Sequence, residues 1–239
     1  MSAAEAVLAF GIMPATGVLA TADDPWIRWY WIGDHLGVIG AALAQHIELT
    51  VVAVGLGFLI AVPLGLLAWR RRVFRGPILS LTGILYTIPS LALFAILVPF
   101  TGLSVVTAEI GLVSYTLLIL IRNIVVGLDA VPDEVREAAR GMGFRPLPQL
   151  LRVDIPLAIP AIMAGVRIAT VTTIGLVTIT ALIGEGGLGS LINDGLIRDF
   201  KTPLVVGTVL SVLLAVVADL SLAGVQRLIT PWTRGRTAT

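Results

Sequence analysis

An all-α membrane protein is the fold class this sequence predicts, and three observations carry it. First, 57% of the 239 residues are hydrophobic and 13% charged, about half the charge of an ordinary soluble domain, and the mean hydropathy is +0.99. Second, five apolar runs approach the ~20 residues that a helix needs to cross a bilayer. Third, arginines cluster after alternate runs, as they do when loops fall on alternate sides of a membrane. The length suits one membrane domain.

The runs are justified in order. Residues 1–25 resemble a secretory signal, with a short apolar stretch and Ala20-Thr21-Ala22, but they carry Glu5 and no Lys or Arg, the wrong charge for one. An uncleaved, interfacial segment is expected there, with an extra span as the alternative. Trp26, Trp29, Tyr30 and Trp31 follow. Trp and Tyr favour the headgroup level, so an interfacial helix to about Ala44 is expected. The spans are then Ile47–Trp69, Ile78–Phe100, Leu103–Ile121, Leu157–Ile183 and Leu204–Leu222. Pro63 and Pro89 lie inside spans, where neighbouring helices satisfy freed backbone groups. Arg70, Arg71, Arg72 and Arg75 follow the first span. Arg122, Arg136, Arg140, Arg145 and Arg152 follow the third, and Arg227, Arg234 and Arg236 the fifth. The positive-inside rule puts these segments and the C-terminus in the cytoplasm of a multi-pass membrane protein. The expected organisation is an N-terminal segment 1–45, a membrane domain 46–226 containing a cytoplasmic loop 131–156, and a tail 227–239.

That loop holds EVREAARGMGFRPLPQLLRVDIP, Glu134–Pro156. Pro132 opens a helix, with Asp129 upstream as a possible cap. Asp133 and Glu134 suit the positive end of its dipole. Val131, Val135, Ala138, Ala139 and Met142 recur at helical spacing as an apolar face, and Glu137 and Arg140 pair at i,i+3. Gly141 and Gly143 allow a stop and a turn. Pro146 and Pro148 start a second short helix, LPQLLRV, and Pro156 and Pro160 begin the return to the membrane. On physical grounds alone, a solvated connector accounts for this loop at least as well as a rigid knob that meets a soluble partner.

Other features are weighed against plainer readings. Gly184–Gly189 spells GEGGLG, but it follows a span rather than a strand, so a tight external turn is expected and not a dinucleotide site. No G-x-x-x-x-G-K-[ST] occurs, so the chain is no P-loop ATPase and no enzyme. It has no cysteine, and His35 and His46 lack metal-ligand spacing, so neither metal nor cofactor is expected. A net charge of +1 gives no reason to expect nucleic acid. Arg167 and Asp219 stand inside the fourth and fifth spans at similar depth. A structural ion pair is the expectation, and snorkelling of Arg167 the alternative. Thr170, Thr173 and Thr180 form a stripe, with Thr172 and Thr178 beside it: either a polar lining for a translocation path, or threonines bonded to their own helix. Gly165 and Gly175 are candidates for close helix contact.

The loop carries a resemblance. Glu137-Ala138-Ala139, three residues, Gly143, nine residues and Val153-Asp154-Ile155-Pro156 resemble the EAA loop of ABC importer permeases, with Val153 for Ile and Ile155 for Leu as departures. TIPSLALFAILVP, LIRN, PAIMAGVRIATV and ALIGEGGLGSLINDGL are similar to permeases for quaternary-ammonium osmoprotectants: glycine betaine, carnitine, choline and proline betaine. The resemblance spans roughly residues 48–227. It implies a type I ABC importer transmembrane domain with five core helices. It implies docking of a cytosolic ABC ATPase dimer through Glu137, Ala138, Ala139, Arg140 and Gly143; Arg136, Arg140 and Arg145 are either rim contacts of that surface or positive-inside anchors. It also implies a second permease subunit, identical or paralogous, and an extracytoplasmic substrate-binding protein. No deep aromatic cluster offers a cation–π cage, which fits specificity held in that binding protein. The alternatives are an amino-acid-type importer permease and an ion-coupled secondary transporter. The second of these calls for internal repeats, which the sequence lacks.

Overall fold

The computed structural model describes residues 25–232, and those residues are helical without a strand. The helices are α1 (Trp29–Asp34), α2 (Leu36–Arg70), α3 (Arg72–Thr87), α4 (Ser90–Thr101), α5 (Val105–Asp129), α6 (Asp133–Gly141), α7 (Pro146–Val177), α8 (Leu188–Ile197) and α9 (Lys201–Ile229), with a 3-10 turn Ile179–Ile183 after α7. The readings of residues 1–24 and of the tail from 233 lie outside the described residues.

Four helices, α2, α5, α7 and α9, are long and apolar enough to cross a bilayer, and α3 with α4 makes a fifth passage only as a bent pair. The second span was expected over Ile78–Phe100 with Pro89 inside it. It turns by 94° between α3 and α4. The residue before a proline avoids helical backbone, and Ile88 accordingly takes φ −64°, ψ 128° ahead of Pro89. The carbonyl freed at the break accepts a hydrogen bond from the Tyr115 hydroxyl of α5. That internal partner is what lets non-helical backbone persist inside an apolar bundle. With 12 residues, α4 spans about 18 Å, short of a ~30 Å hydrocarbon core.

Two other boundaries differ from expectation. No separate interfacial helix reaches Ala44: only α1 is separate, and α2 runs unbroken for 35 residues through Pro63, about 52 Å. The short helix expected over LPQLLRV is the first part of α7. Pro146 sits in its first turn, where a missing N–H costs nothing. A widened π turn, Leu150–Asp154, precedes Pro156. It takes up the clash that a proline ring makes with the carbonyl four residues back.

The core is built around α5. Leu120, Ile121, Ile124, Val125 and Leu128 are buried against Ala61 and Ala68 of α2 and Ala158 and Ala169 of α7. Small residues set the approach distance. At Gly165 an added Cβ would lie 2.5 Å from the Asn123 Cβ, whereas Gly175 faces open space. The close-contact reading therefore holds for Gly165 alone.

Candidate functional site

Helix α6 projects at the arginine-rich end of the bundle. Pro132 precedes it without a side-chain cap, and Asp133 and Glu134 fill its first turn. Asp129 does not cap it: its carboxylate pairs with Arg75 at 2.7 Å and ties α3 to α5. The far end closes by hydrogen bonds from Gly143 N–H to the Arg140 carbonyl (2.9 Å) and from Phe144 N–H to the Ala139 carbonyl (3.1 Å). This is a Schellman motif, which needs a left-handed residue at its turn. Gly143 supplies it at φ +83°, a conformation that an L side chain resists.

The apolar residues of α6 divide between two faces. Val131, just before the helix, and Ala139 are buried against the bundle, whereas Val135, Ala138 and Met142 are exposed. Leu147 and Leu151 at the start of α7 are exposed too. Glu137 and Arg140 stand out beside them, 4.0 Å apart. So of the five expected docking residues, Glu137, Ala138, Arg140 and Gly143 lie on the surface. Ala139 is the contact that seats the helix.

Arg136, expected on the rim, turns inward. Its side chain is 15% exposed, and Nε donates to Asp154 Oδ1 at 2.9 Å, where the Asp154 side chain is 3% exposed. Nη2 donates to the Leu128 carbonyl at 2.5 Å and Nη1 to Asp133 at 3.3 Å. The guanidinium lies over the Trp69 ring, 5.4 Å from its centroid. One side chain thus joins α6 to the ends of α2 and α5 and to the π turn of α7.

The two isolated intramembrane charges meet. Arg167 Nε and Nη2 each donate to the Asp219 carboxylate at 2.8 Å, the two-pronged geometry that suits guanidinium and carboxylate. The pair lines an open, mainly apolar groove between α7 and α9 with Thr172. The threonine stripe is divided, because α7 ends at Val177 and Thr180 lies in the 3-10 turn. Thr170 bonds to the Val166 carbonyl. Thr173 is 1% exposed, and Thr180 is fully buried, donating to the Val177 and Glu185 carbonyls. Neither Thr173 nor Thr180 opens on a protomer surface, so the pair packs inside the protomer.

GEGGLG forms a compact connector. Gln45 of α2 donates to Glu185 at 2.9 Å and accepts from Gly187 N–H at 3.1 Å. His46 is fully buried. Its Nδ1 accepts from Leu188 N–H, so Nε2 carries the hydrogen and donates to the Ile174 carbonyl at 3.0 Å. A Cβ at Gly187 would lie 2.7 Å from the His46 Cβ. Sequence reasoning missed this latch and the Arg136–Asp154 pair. The available signals were two polar residues, Gln45 and His46, entering an apolar helix, and one acid, Asp154, beside Pro156.

The family model described as "Binding-protein-dependent transport system inner membrane component" matches residues 53–234. The Salmonella typhimurium protein named "Osmoprotectant import permease protein OsmW" is 38% identical over 84% of this chain and 96% of its own length. The Bacillus subtilis "Glycine betaine/carnitine/choline transport system permease protein OpuCB" is 37% identical over 78% of this chain and 86% of its own. A chain in the inward-facing MetNI methionine ABC transporter superposes with a TM-score of 0.72 at 22% identity, over 82% of this chain and 98% of that one. That likeness bears on the fold alone.

Proposed function

The chain belongs to the binding-protein-dependent transport system inner membrane component family, and on that premise we propose that it is the permease subunit of an ATP-driven importer for quaternary-ammonium osmoprotectants. Glycine betaine, carnitine, choline and proline betaine are the substrate class. The observation that carries the reading is α6: a short, rigidly closed helix whose Glu137, Ala138 and Arg140 stand exposed at the arginine-rich end. The names of relatives matched over most of their length support the substrate class.

In this reading α6 lies in the cytoplasm, where the arginine distribution favours it, and takes the push of a cytosolic ABC ATPase dimer. The small Ala138 permits close approach, and exposed Val135 and Met142 offer apolar surface of the kind partners cover. A second permease subunit, identical or paralogous, completes the path, and an extracytoplasmic binding protein delivers substrate. The membrane domain is 46–226, with the docking loop at 131–156 and the tail at 227–239 beside it. No bond is made or broken in this subunit. ATP binding shifts it between inward- and outward-facing states, which requires that ATP bind the complex in one state better than in the other. Of the proposed path residues Thr170, Thr173 and Thr180, only Thr170 is not buried, which keeps it, with Thr172 beside it, as the candidate lining.

The test is reconstitution with the ATPase and binding protein. Wild-type protein takes up radiolabelled glycine betaine only with ATP, and Glu137→Lys keeps its membrane insertion but loses ATPase co-purification and uptake. Uptake driven by an ion gradient without ATPase subunits, or full transport by the variant, would sink the reading. Competition by methionine and not by choline would instead favour an amino-acid-type importer.

A further inference from the structure

We propose that Arg136 and Asp154 are the coupling pair of this permease, positioning residues that make α6 and the spans move as one body. The proposal rests on the docking reading above and goes beyond it, because Arg136 and Asp154 are mostly buried beneath the exposed docking residues, in a groove that Arg140 also lines.

A push on an exposed helix does work on a membrane bundle only if something stiff connects them. Helix α6 is short and is flanked by turns at 130–132 and 142–145. Element-terminal positions such as these can act as hinges, so they alone do not fix α6 to the spans. The stiff connection is Arg136, at the centre of α6 on the face opposite Glu137 and Ala138. Its partners are distributed across the bundle: Asp154 in α7, the Leu128 carbonyl in α5 and the Trp69 ring in α2. A planar guanidinium with several fixed donors holds more than one partner in a set orientation, as an ammonium does not.

The position of Asp154 is as telling as its partner. It ends the π turn Leu150–Asp154, which divides α7 into a surface portion, Pro146–Gln149, and a spanning portion, Ile155–Val177. Single π turns inside α-helices mark places where helix register departs from the regular repeat, often at functional positions. The Arg136 contact therefore falls at the π turn, where the surface portion meets the span. Clamping it there passes displacement of α6 into Ile155–Val177, the segment that carries Arg167 and Thr170.

The chain is free of cysteine, so spin labels can be placed at will. In isolated permease labelled through Glu134→Cys and Ile168→Cys, both exposed sites, the distance distribution between α6 and α7 is narrow. Adding Asp154→Asn broadens it, and Asp154→Glu keeps it narrow. In the reconstituted complex, Asp154→Asn keeps ATPase co-purification and ATP hydrolysis, while glycine betaine moved per ATP falls about tenfold, within the range by which residues on a coupling route alter linkage. Asp154→Glu recovers part of that ratio. An unbroadened distribution, an unchanged ratio, or loss of the ATPase from the Asp154→Asn complex would each overturn the pair. If wild-type complex hydrolyses ATP but moves no glycine betaine, the substrate reading alone falls, and the distance measurement still decides the pair.

Discussion

Two arginine–aspartate pairs share helix α7 as a partner and differ in almost everything else. Arg136–Asp154 joins through one 2.9 Å bond, its side chains 15% and 3% exposed, and its arginine has further partners in α2, α5 and α6. Arg167–Asp219 joins through two parallel bonds at 2.8 Å, its side chains 32% and 34% exposed on a groove. The second is a matched fork in which two charges neutralise each other inside apolar spans, where either alone is costly. The first is a junction, where the charge organises backbone and ring as well as its counterion. The lesson is that bond number does not rank structural importance. How many elements lose their connection when the pair breaks is the better measure.

The largest effect expected from that comparison comes at the junction. Asp154→Leu removes the buried carboxylate and leaves Arg136, largely buried, with only the exposed Asp133 at 3.3 Å as a counterion. One-sided loss of a buried pair costs about 3 kcal/mol or more. A clear fall in thermal midpoint in detergent, larger than that of Asp154→Asn, is the expected result. An unchanged midpoint would reduce the junction to an incidental contact.

Next comes the fork. Asp219→Leu leaves Arg167 unpaired within the span, and the yield of inserted protein falls, though less than at the junction because Arg167 is less buried than Arg136 and its long stem can snorkel. The double variant Arg167→Leu with Asp219→Leu recovers most of the yield, since removing both partners leaves no orphaned charge. Equal yields for single and double variants would show that the two residues act independently.

The fork was legible in the sequence and the junction was not, for a physical reason. Arg167 and Asp219 each interrupt an apolar run at similar depth, so the cost of an unpaired charge pointed each at the other, whereas Glu109 lies near the opposite end of its own run. Arg136 stands in a loop with Arg140, Arg145 and Arg152, where any of them could meet an acid or water at little cost. Only packing decides which turns inward, and the seating of Ala139 decides it here. The same distinction runs through the fold. Long apolar runs gave α2, α5, α7 and α9 away, since length and composition suffice for them. The 94° turn at Ile88–Pro89 depended on Tyr115, 27 residues on, and no local pattern announces a partner at that separation. For the same reason the threonine stripe misled: its spacing assumed a helix that continues past Val177.

The smallest effect sharpens the comparison from its other side. Arg140 belongs to α6 as Arg136 does, four residues later, but it and Glu137 are mostly solvated and 4.0 Å apart. Exposed pairs of this kind contribute about 0–1 kcal/mol. Arg140→Ala therefore leaves the thermal midpoint where it was, against the fall expected at Asp154. If ATPase co-purification drops at the same time, Arg140 serves the docking surface and nothing beneath it. If instead the midpoint falls as far as with Asp154→Leu, then α6 is held by its outer face as much as its inner one, and the division of labour between Arg136 and Arg140 is lost.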